Sequence, residues 1–575
     1  MNARFADAMV RGTSLRFQLL AACGLIVVAG FAAYANTFSA PFVYDGRILE
    51  RELRPLAWEN PAGWFEQWPR PLGYFTFRLQ YTLHGRWLPG FHAVNIAIHV
   101  LAALFLFGSV CLTCRSWRSS AAVRSEAVAI ALAASLFFEL HPLQTQAVTY
   151  LYQRFESLMG MFFLASVFCF AMGCRETGGR REASGAGGQR TNWRSVAWLV
   201  AAWLAVVASI ASKEVGAAAP LVLLWYDRVF VADSWQTLTR RRGWFHVPFF
   251  ALMAGCAAFL FIAREHYASG GIFNTTRMPV LTYALHQPYV ICRYLGLVVW
   301  PTGLCLDWNL KPLADPRQLF PSIAAVLGLL GFTAWAAVRL PWVGFLLGSF
   351  FLILAPTSSF APIVDLAFEH RMYLPLAPLS VLAVLGLRGL SIRARVSRRV
   401  LAGAVAGLAI ALGILTYRRN EVYESGARVW IDVIAKAPQN SRAFFNLAWH
   451  VEEEPGGIPA AIRLYRRALE INPSLAAAHR SLAVLLFEAD RPRSVWHARQ
   501  AVGLERSADN LSNLGIVIAD KDPREAEACF REALSLNPSM VEAKANLARL
   551  LASKRPTAAA TEVEVEEREP ALVSP

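Results

Sequence analysis

The chain has 575 residues, 55% of them hydrophobic, and a formal net charge of +15. That apolar fraction, with a positive mean hydropathy, exceeds what a soluble core can hide, so membrane-spanning helices are the natural reading. The positive charge does not point to nucleic acid: the arginines lie in short loops between apolar runs, where they act as orientation signals, and no recognition module accompanies them. Nine cysteines are scattered, mostly inside apolar runs, and form no disulfide framework.

Windows of ~17–25 apolar residues give about eleven candidate spans, near residues 16–35, 91–112, 126–141, 155–174, 195–212, 214–231, 245–263, 319–338, 341–360, 371–388 and 399–417. The first, preceded by Arg4, Arg11 and Arg16, has the character of a retained anchor rather than a cleaved signal. The segment 281–300 contains His286, Pro288 and Arg293, and reads as a re-entrant or interfacial helix that tolerates these residues where a full span would not. If it does not cross, the arginine-rich stretches all fall on one side. They are the N-terminus, Arg115 to Arg124, Arg175 to Arg194, Arg228 with Arg240 to Arg242, Arg339, and Arg388 to Arg399. That side is cytoplasmic by the positive-inside rule. Eleven crossings then bring the chain out on the outer face after residue 417, and the segment that follows is expected to be extracytoplasmic. Counting 281–300 as a span would invert everything after it, against the charge rule.

Past Arg418 and Arg419 the composition changes. "AIRLYRRALEINP", ending at Pro473, returns as "AEACFREALSLNP", ending at Pro538, a separation close to two units of ~34 residues. A degenerate copy lies between them, and small residues (Ala448, Ala468, Ala533) stand where paired helices must approach. This pattern resembles the tetratricopeptide repeat family, whose stacked hairpins present a groove to a peptide or protein. The expected architecture is all-α. A multi-span membrane domain covers 1–420, with its first outer loop at 36–90; an α-solenoid of three to four hairpins lies within 421–555; and a disordered tail covers 556–575. "ETGGRREASGAGGQRTN" reads as a flexible loop, and "NTT" at Asn274 has the form of a glycosylation sequon.

The polar motifs cluster at the predicted outer ends of the spans. The first outer loop carries "PFVYDGRILE" and "QWPRPLGYFTFRLQYTLHG", the second "ELHPLQTQAVTYLYQRFESL", the third "SKEVGAAAPLVLLWYDR", and the last "SSFAPIVDLAFEHRMYLP". Ionisable side chains at the end of an apolar run are costly unless they line a cavity or pair. Arg70, His141, Arg154, Glu156, Lys213, Glu214, Glu369, His370 and Arg371 are therefore expected to converge on one polar site. For each the alternative is a salt bridge or a snorkelling side chain: Arg154 with Glu156, and Lys213 with Glu214, can neutralise each other. His141, before a proline, reads equally as a cap or turn residue.

From "FVYDG" through "RPLGYFTFRLQY", "FHAVNIAIHV", "HPLQTQAVTYLYQR", "SKE" and "EHRMYLP" to the repeats, the chain resembles the membrane O-mannosyltransferase-like family with C-terminal tetratricopeptide repeats. That family includes bacterial members and the animal transmembrane-and-tetratricopeptide proteins. The resemblance implies a GT-C glycosyltransferase fold, a polyprenyl-phosphate sugar as donor, and an acidic motif in the first outer loop. Asp45 matches the first acid of that motif and would act as the base for an acceptor hydroxyl. Arginine suits the leaving phosphate, with Arg154 as the first candidate and Arg293 and Arg371 behind it. No metal site is assigned. The chain departs from the family at Gly46, which stands where a second acid is usual. Either that acid is dispensable, or Glu50 or Glu52 substitutes, or activity is reduced or lost. Two functions follow: a glycosyltransferase whose repeats recruit a protein acceptor, or a non-catalytic membrane scaffold that uses the repeats for assembly.

Overall fold

The computed structural model describes residues 2–56, 70–116, 118–178, 193–262, 278–313, 315–360, 362–363 and 365–554, with the side chains of 2–14, Ile48, Glu52 and 176–178 and some near 256–262 left aside. The 176–192 loop, Asn274 and the 556–575 tail lie outside this set or at its edge. The chain divides into two compact units, 1–437 and 438–575.

The regular elements of the first unit are helices. In order they are α1 (Asn2–Ala33), α2 (Asp45–Glu52), α3 (Pro71–His84), α4 (Leu88–Cys114), α5 (Ala121–Ser125), α6 (Ala127–Leu140), α7 (Thr145–Val148), α8 (Arg154–Gly178) and α9 (Trp193–Ser212). There follow α10 (Ala219–Tyr226), α11 (Trp235–Ile262), α12 (Val280–Val299), α13 (Phe320–Arg339), α14 (Pro341–Leu354), α15 (Leu376–Arg393), α16 (Arg398–Asn420) and α17 (Gly426–Lys436). Each apolar window read from the sequence contains helix. Among the described residues seven helices are long and apolar enough to cross a membrane, or eight if α6 and the Pro142–Val148 segment, bent by 52°, count as one span. The remaining windows hold shorter or more polar helices, such as α14 and α10.

Burial separates centre from periphery. The best span window in Leu151–Arg175 is 78% buried, whereas those of α1 and α16 are 17% buried. α8 therefore runs through the middle of the bundle, packed on α4 and α9. The outer helices α1, α13 and α16 turn Phe17, Leu20, Leu327, Val338, Val400 and Ile410 outward, as expected of faces whose solvent is lipid.

The loops sort to two ends. At one, Arg118 donates to the Val229 carbonyl at 2.8 Å, Arg242 forks onto Asp227 at 2.6 and 2.7 Å, and Arg388 and Arg398 hold Glu126 at 2.6 and 2.9 Å. At the other, the ends of α1 and α16 are tied through Asn420, which donates to the Ala33 carbonyl at 3.0 Å and accepts from Thr149 at 2.6 Å.

α12 explains the ambiguous apolar segment. Tyr283 near its start donates to the Thr357 carbonyl at 2.6 Å, and Tyr294 donates to the Phe368 carbonyl at 2.9 Å. His141 bonds the Val298 carbonyl near its end at 3.1 Å. Both termini of α12 thus meet loops of the motif end, so the helix lies along that end.

The sequence placed everything after residue 420 with the repeats, but α17 packs with the first unit: Arg419 pairs with Asp432 at 2.8 Å and Lys436 donates to the Leu304 carbonyl at 2.7 Å.

The second unit is a run of antiparallel pairs: α18 (Ser441–Glu452) with α19 (Ile458–Ile471), α20 (Ala476–Leu485) with α21 (Arg491–Leu504), α22 (Ala508–Ile518) with α23 (Pro523–Leu536), then α24 (Val541–Lys554). Asp490, Ser507 and Asp522 cap helix N-termini with their side chains, satisfying donors the helix cannot. Ala448, Ala461, Ala468, Ala526 and Ala533 are buried where pairs meet. A Cβ at Gly515 would lie 2.7 Å from the Phe530 ring, so the α22–α23 approach needs glycine there. Arg499 forks onto Glu525 and Arg506 onto Glu532, joining one pair to the next.

Candidate functional site at the motif end of the membrane unit

Asp45 opens α2 from a tight turn. The Gly46 N–H donates to the Val43 carbonyl at 2.9 Å, and Tyr44 between them adopts φ 50°, ψ −124°. These are the angles of the first central residue of a type II′ turn, a place that favours glycine, so a tyrosine there carries backbone strain on the order of 1–3 kcal/mol. The Asp45 N–H donates to the Tyr150 hydroxyl at 3.1 Å. Burial raises the Tyr150 phenol well above its ordinary value, and the nearby Asp45 charge adds to this, so Tyr150 stays a neutral hydroxyl.

From Tyr150 an aromatic cluster leads to Arg70. Tyr150 and Tyr152 stack at 6.2 Å, Tyr152 meets Phe155 edge-on at 5.2 Å, and the Arg70 guanidinium lies 5.5 Å from the Phe155 ring. Arg70 donates to both oxygens of Glu214 at 3.2 and 2.9 Å. Burial alone would raise the Glu214 carboxyl, but Arg70 and Lys213 beside it outweigh that and hold it at about 2. Lys213 is engaged elsewhere, on the buried Glu156. The pairs expected from sequence adjacency are therefore replaced by Glu156 with Lys213 and Glu214 with Arg70. His370 completes this patch; burial, with Lys213, Arg371 and Arg70 nearby, drives its imidazole well below the usual value, and its backbone N–H donates to Gln146 at 2.7 Å.

The three arginines expected near phosphate are placed differently from one another. Arg154 is fully buried: it donates to Asn95 at 2.6 Å and to the Phe91 carbonyl at 3.0 Å, with Phe77 4.0 Å from its guanidinium. Sealed in this way, it braces α4 against α8. Arg371 is likewise buried, and binds the Thr357, Leu366 and Asp365 carbonyls, closing the loop before α15. Arg293 is exposed and stacks 4.4 Å from Trp308. His141 uses one ring nitrogen to accept from the Leu143 N–H at 3.2 Å and the other on the Val298 carbonyl, the geometry of a turn cap.

Glu369 belongs to a second cluster. It accepts from the Cys305 N–H, and burial pushes its carboxyl up to about 7 against the pull of Arg419, the Cys305 N–H and Lys436. Asp432 joins those two cations, reaching Arg419 at 2.8 Å and Lys436 at 2.5 Å. Sequence reasoning missed Tyr150, Trp308, Asp432 and Lys436. Tyr150 stands within a quoted motif and carries the aromatic-with-hydroxyl signal of a polar site wall, Trp308 lies outside the quoted motifs, and the last two lie in a stretch that reads as repeat. Among the described residues no group of three or more His, Cys, Asp or Glu side chains could hold a metal ion.

The fold and this site define a multi-pass, all-helical membrane protein with a polar site at one end of the bundle and a C-terminal tetratricopeptide array. A Tetratricopeptide repeat family model matches residues 519–569. Over most of its length the chain is similar to proteins named Protein O-mannosyl-transferase. It is 25% identical to Tmtc3 of Drosophila melanogaster, covering 93% of this chain and 66% of that one. It is 24% identical to TMTC4 of Mus musculus, covering 76% and 65%, and 24% identical to TMTC3 of Homo sapiens, covering 92% and 62%. The chain spans just under two thirds of the length of these relatives. The chain is thus similar to the membrane O-mannosyltransferase-like proteins with tetratricopeptide repeats, the resemblance the ordered motifs carry. Among solved structures, a thermophilic TPR protein of Thermus thermophilus aligns at 17% identity and a TM-score of 0.20, covering 29% of this chain and 97% of that one.

Proposed function

We propose that this chain is an integral membrane glycosyltransferase that moves a sugar, mannose on the precedent of its relatives' names, from a polyprenyl-phosphate donor to a hydroxyl of an exported protein. The observation that carries this reading is Asp45: an acid held in a strained turn, its backbone fixed by Tyr150, beside the ion-paired patch of Arg70, Glu214, Lys213 and His370. Asp45 accepts the acceptor's proton as the hydroxyl oxygen bonds the anomeric carbon. The bond from that carbon to the phosphate oxygen breaks, and the lipid phosphate leaves with the electron pair. Developing charge on the phosphate calls for cations that can reach it. Arg293 and the partly exposed Arg70 serve this role, while Arg154 and Arg371 support the walls. The repeats raise the local concentration of a protein acceptor.

Gly46 favours a second reading. A Cβ there would make only ordinary contacts, 3.4 and 3.6 Å to Phe42 and 3.7 Å to Tyr150. The second acid is therefore absent from a place with room for its first carbon, as expected if the fold is kept for scaffolding.

Mass spectrometry of glycans on exported proteins separates the two. In cells whose exported-protein glycosylation depends on this chain, Asp45→Ala is expected to lower site occupancy by about 10²–10⁴ in rate, the usual worth of a general base. Unchanged glycosylation with normal protein levels would leave only the scaffold.

A further inference from the structure

α17 reaches the turn that presents Asp45. Trp430 on this helix is 0% exposed, and its ring meets Tyr44 edge-on, with centroids 5.4 Å apart and planes at 77°. Tyr44 is the residue in the strained position, at φ 50°, where a side chain does not remain without support from its surroundings. The glycine that would relieve the strain stands two residues later, at Gly46. α17 is itself anchored: Asp432 pairs with Arg419 at 2.8 Å, and Lys436 holds the Leu304 carbonyl at 2.7 Å. On the far side of the turn the Asp45 N–H is bonded to Tyr150. The turn is thus gripped between α17 and the Tyr150 loop.

We propose that Trp430 is a positioning residue for Asp45: by packing on Tyr44 it holds the Val43–Gly46 turn in the form that aims the Asp45 carboxylate at the acceptor. This rests on Asp45 being the base. The chemistry stays at Asp45, and Trp430, buried against Tyr44, acts through that turn. Activity therefore depends on α17 being seated on the membrane unit, although by sequence this helix reads as the start of the repeats.

The test uses the full chain in lipid nanodiscs, with polyprenyl-phosphate mannose as donor and an exported-protein fraction as acceptor, and follows hydrogen exchange at residues 43–47 in parallel. Trp430→Ala is expected to lower kcat roughly tenfold to hundredfold, as small misplacements of a catalytic group do, with donor KM nearly unchanged and faster exchange at 43–47. Trp430→Phe, which keeps an aromatic edge, retains most of the rate. Tyr44→Gly added to Trp430→Ala restores most of kcat and of the slow exchange, because glycine takes positive φ unaided. A loss of general stability would not be repaired in that way. Exchange at 43–47 unchanged in Trp430→Ala, or a double variant no better than Trp430→Ala in both readouts, overturns the proposal. If Asp45→Ala retains transfer, the assignment of the base fails; if Asp45→Ala abolishes transfer while Trp430→Ala leaves kcat intact, only the positioning role fails.

Discussion

Among single residues, Glu369 shows how burial and charge compete. Its side chain is 0% exposed, and burial raises the carboxyl from 4.5 to about 7 despite Arg419 and Lys436, with the Asp432 charge a smaller push in the same direction. A raised folded-state value means that the folded protein binds this proton more tightly than the unfolded chain. The contribution to stability is full below pH 4.5 and is lost as pH rises through about 7, a change on the order of 3 kcal/mol. Glu369→Gln should therefore keep what the wild type loses between those limits. Melting temperatures of nanodisc-embedded protein across pH 4.5 to 7.5 check this, and parallel curves for the two proteins would refute it. That ionisable groups gather where apolar runs end was legible, because such groups are costly there unless they pair. Their partners were not. Arg154 and Glu156 are two apart at the start of a helix and do not face one another, so Glu156 finds Lys213 and Arg154 is left to Asn95 and the Phe91 carbonyl. Sequence ranked Arg154 first for phosphate because it ranks by charge, whereas accessibility is set by packing from α4.

At the scale of elements, α12 was legible for what interrupts it. Its polar residues mark a helix that meets other loops along its length: His286 accepts from the Leu313 N–H at 2.9 Å, and Gln287 is buried beside the Leu366 carbonyl. A helix lying along one end presents both termini to the same aqueous side. Leu281 and Trp300, 69% and 72% exposed, bracket it. Cysteines introduced at these two positions, one at a time, are expected to react with an impermeant maleimide from the same side of the membrane, while a spanning helix would label at one and be protected at the other. α17 was illegible for the opposite reason. Its apolar stripe (Val429, Trp430, Val433) has the spacing of any helix that buries one face, and that spacing is the same whether the face meets another repeat or the membrane unit. Only the placement of Trp430 on Tyr44 and of Asp432 on Arg419 decides it.

For the whole molecule the question is which side the motif end faces. Arg118, Arg242, Arg388 and Arg398 gather at the other end, each with an acidic partner. Pairing satisfies the charges locally, but the excess of arginine in these short loops still resists transfer across the membrane. The motif end should thus face away from the cytoplasm, and α16, which closes its last turn at Asn420 beside Ala33 and Thr149, delivers the chain to that side. The proposed function requires this side, since a polyprenyl-phosphate donor and an exported acceptor would meet there and an array on the cytoplasmic side would meet neither. Ser539 lies exposed in the turn before α24, clear of the buried helix pairs. In intact cells Ser539→Cys should react with an impermeant maleimide, and the parent chain should show no added label in the repeat unit. Protection of that cysteine until the cells are opened would place the array inside, and would sink acceptor recruitment by the repeats together with the outer assignment of Asp45.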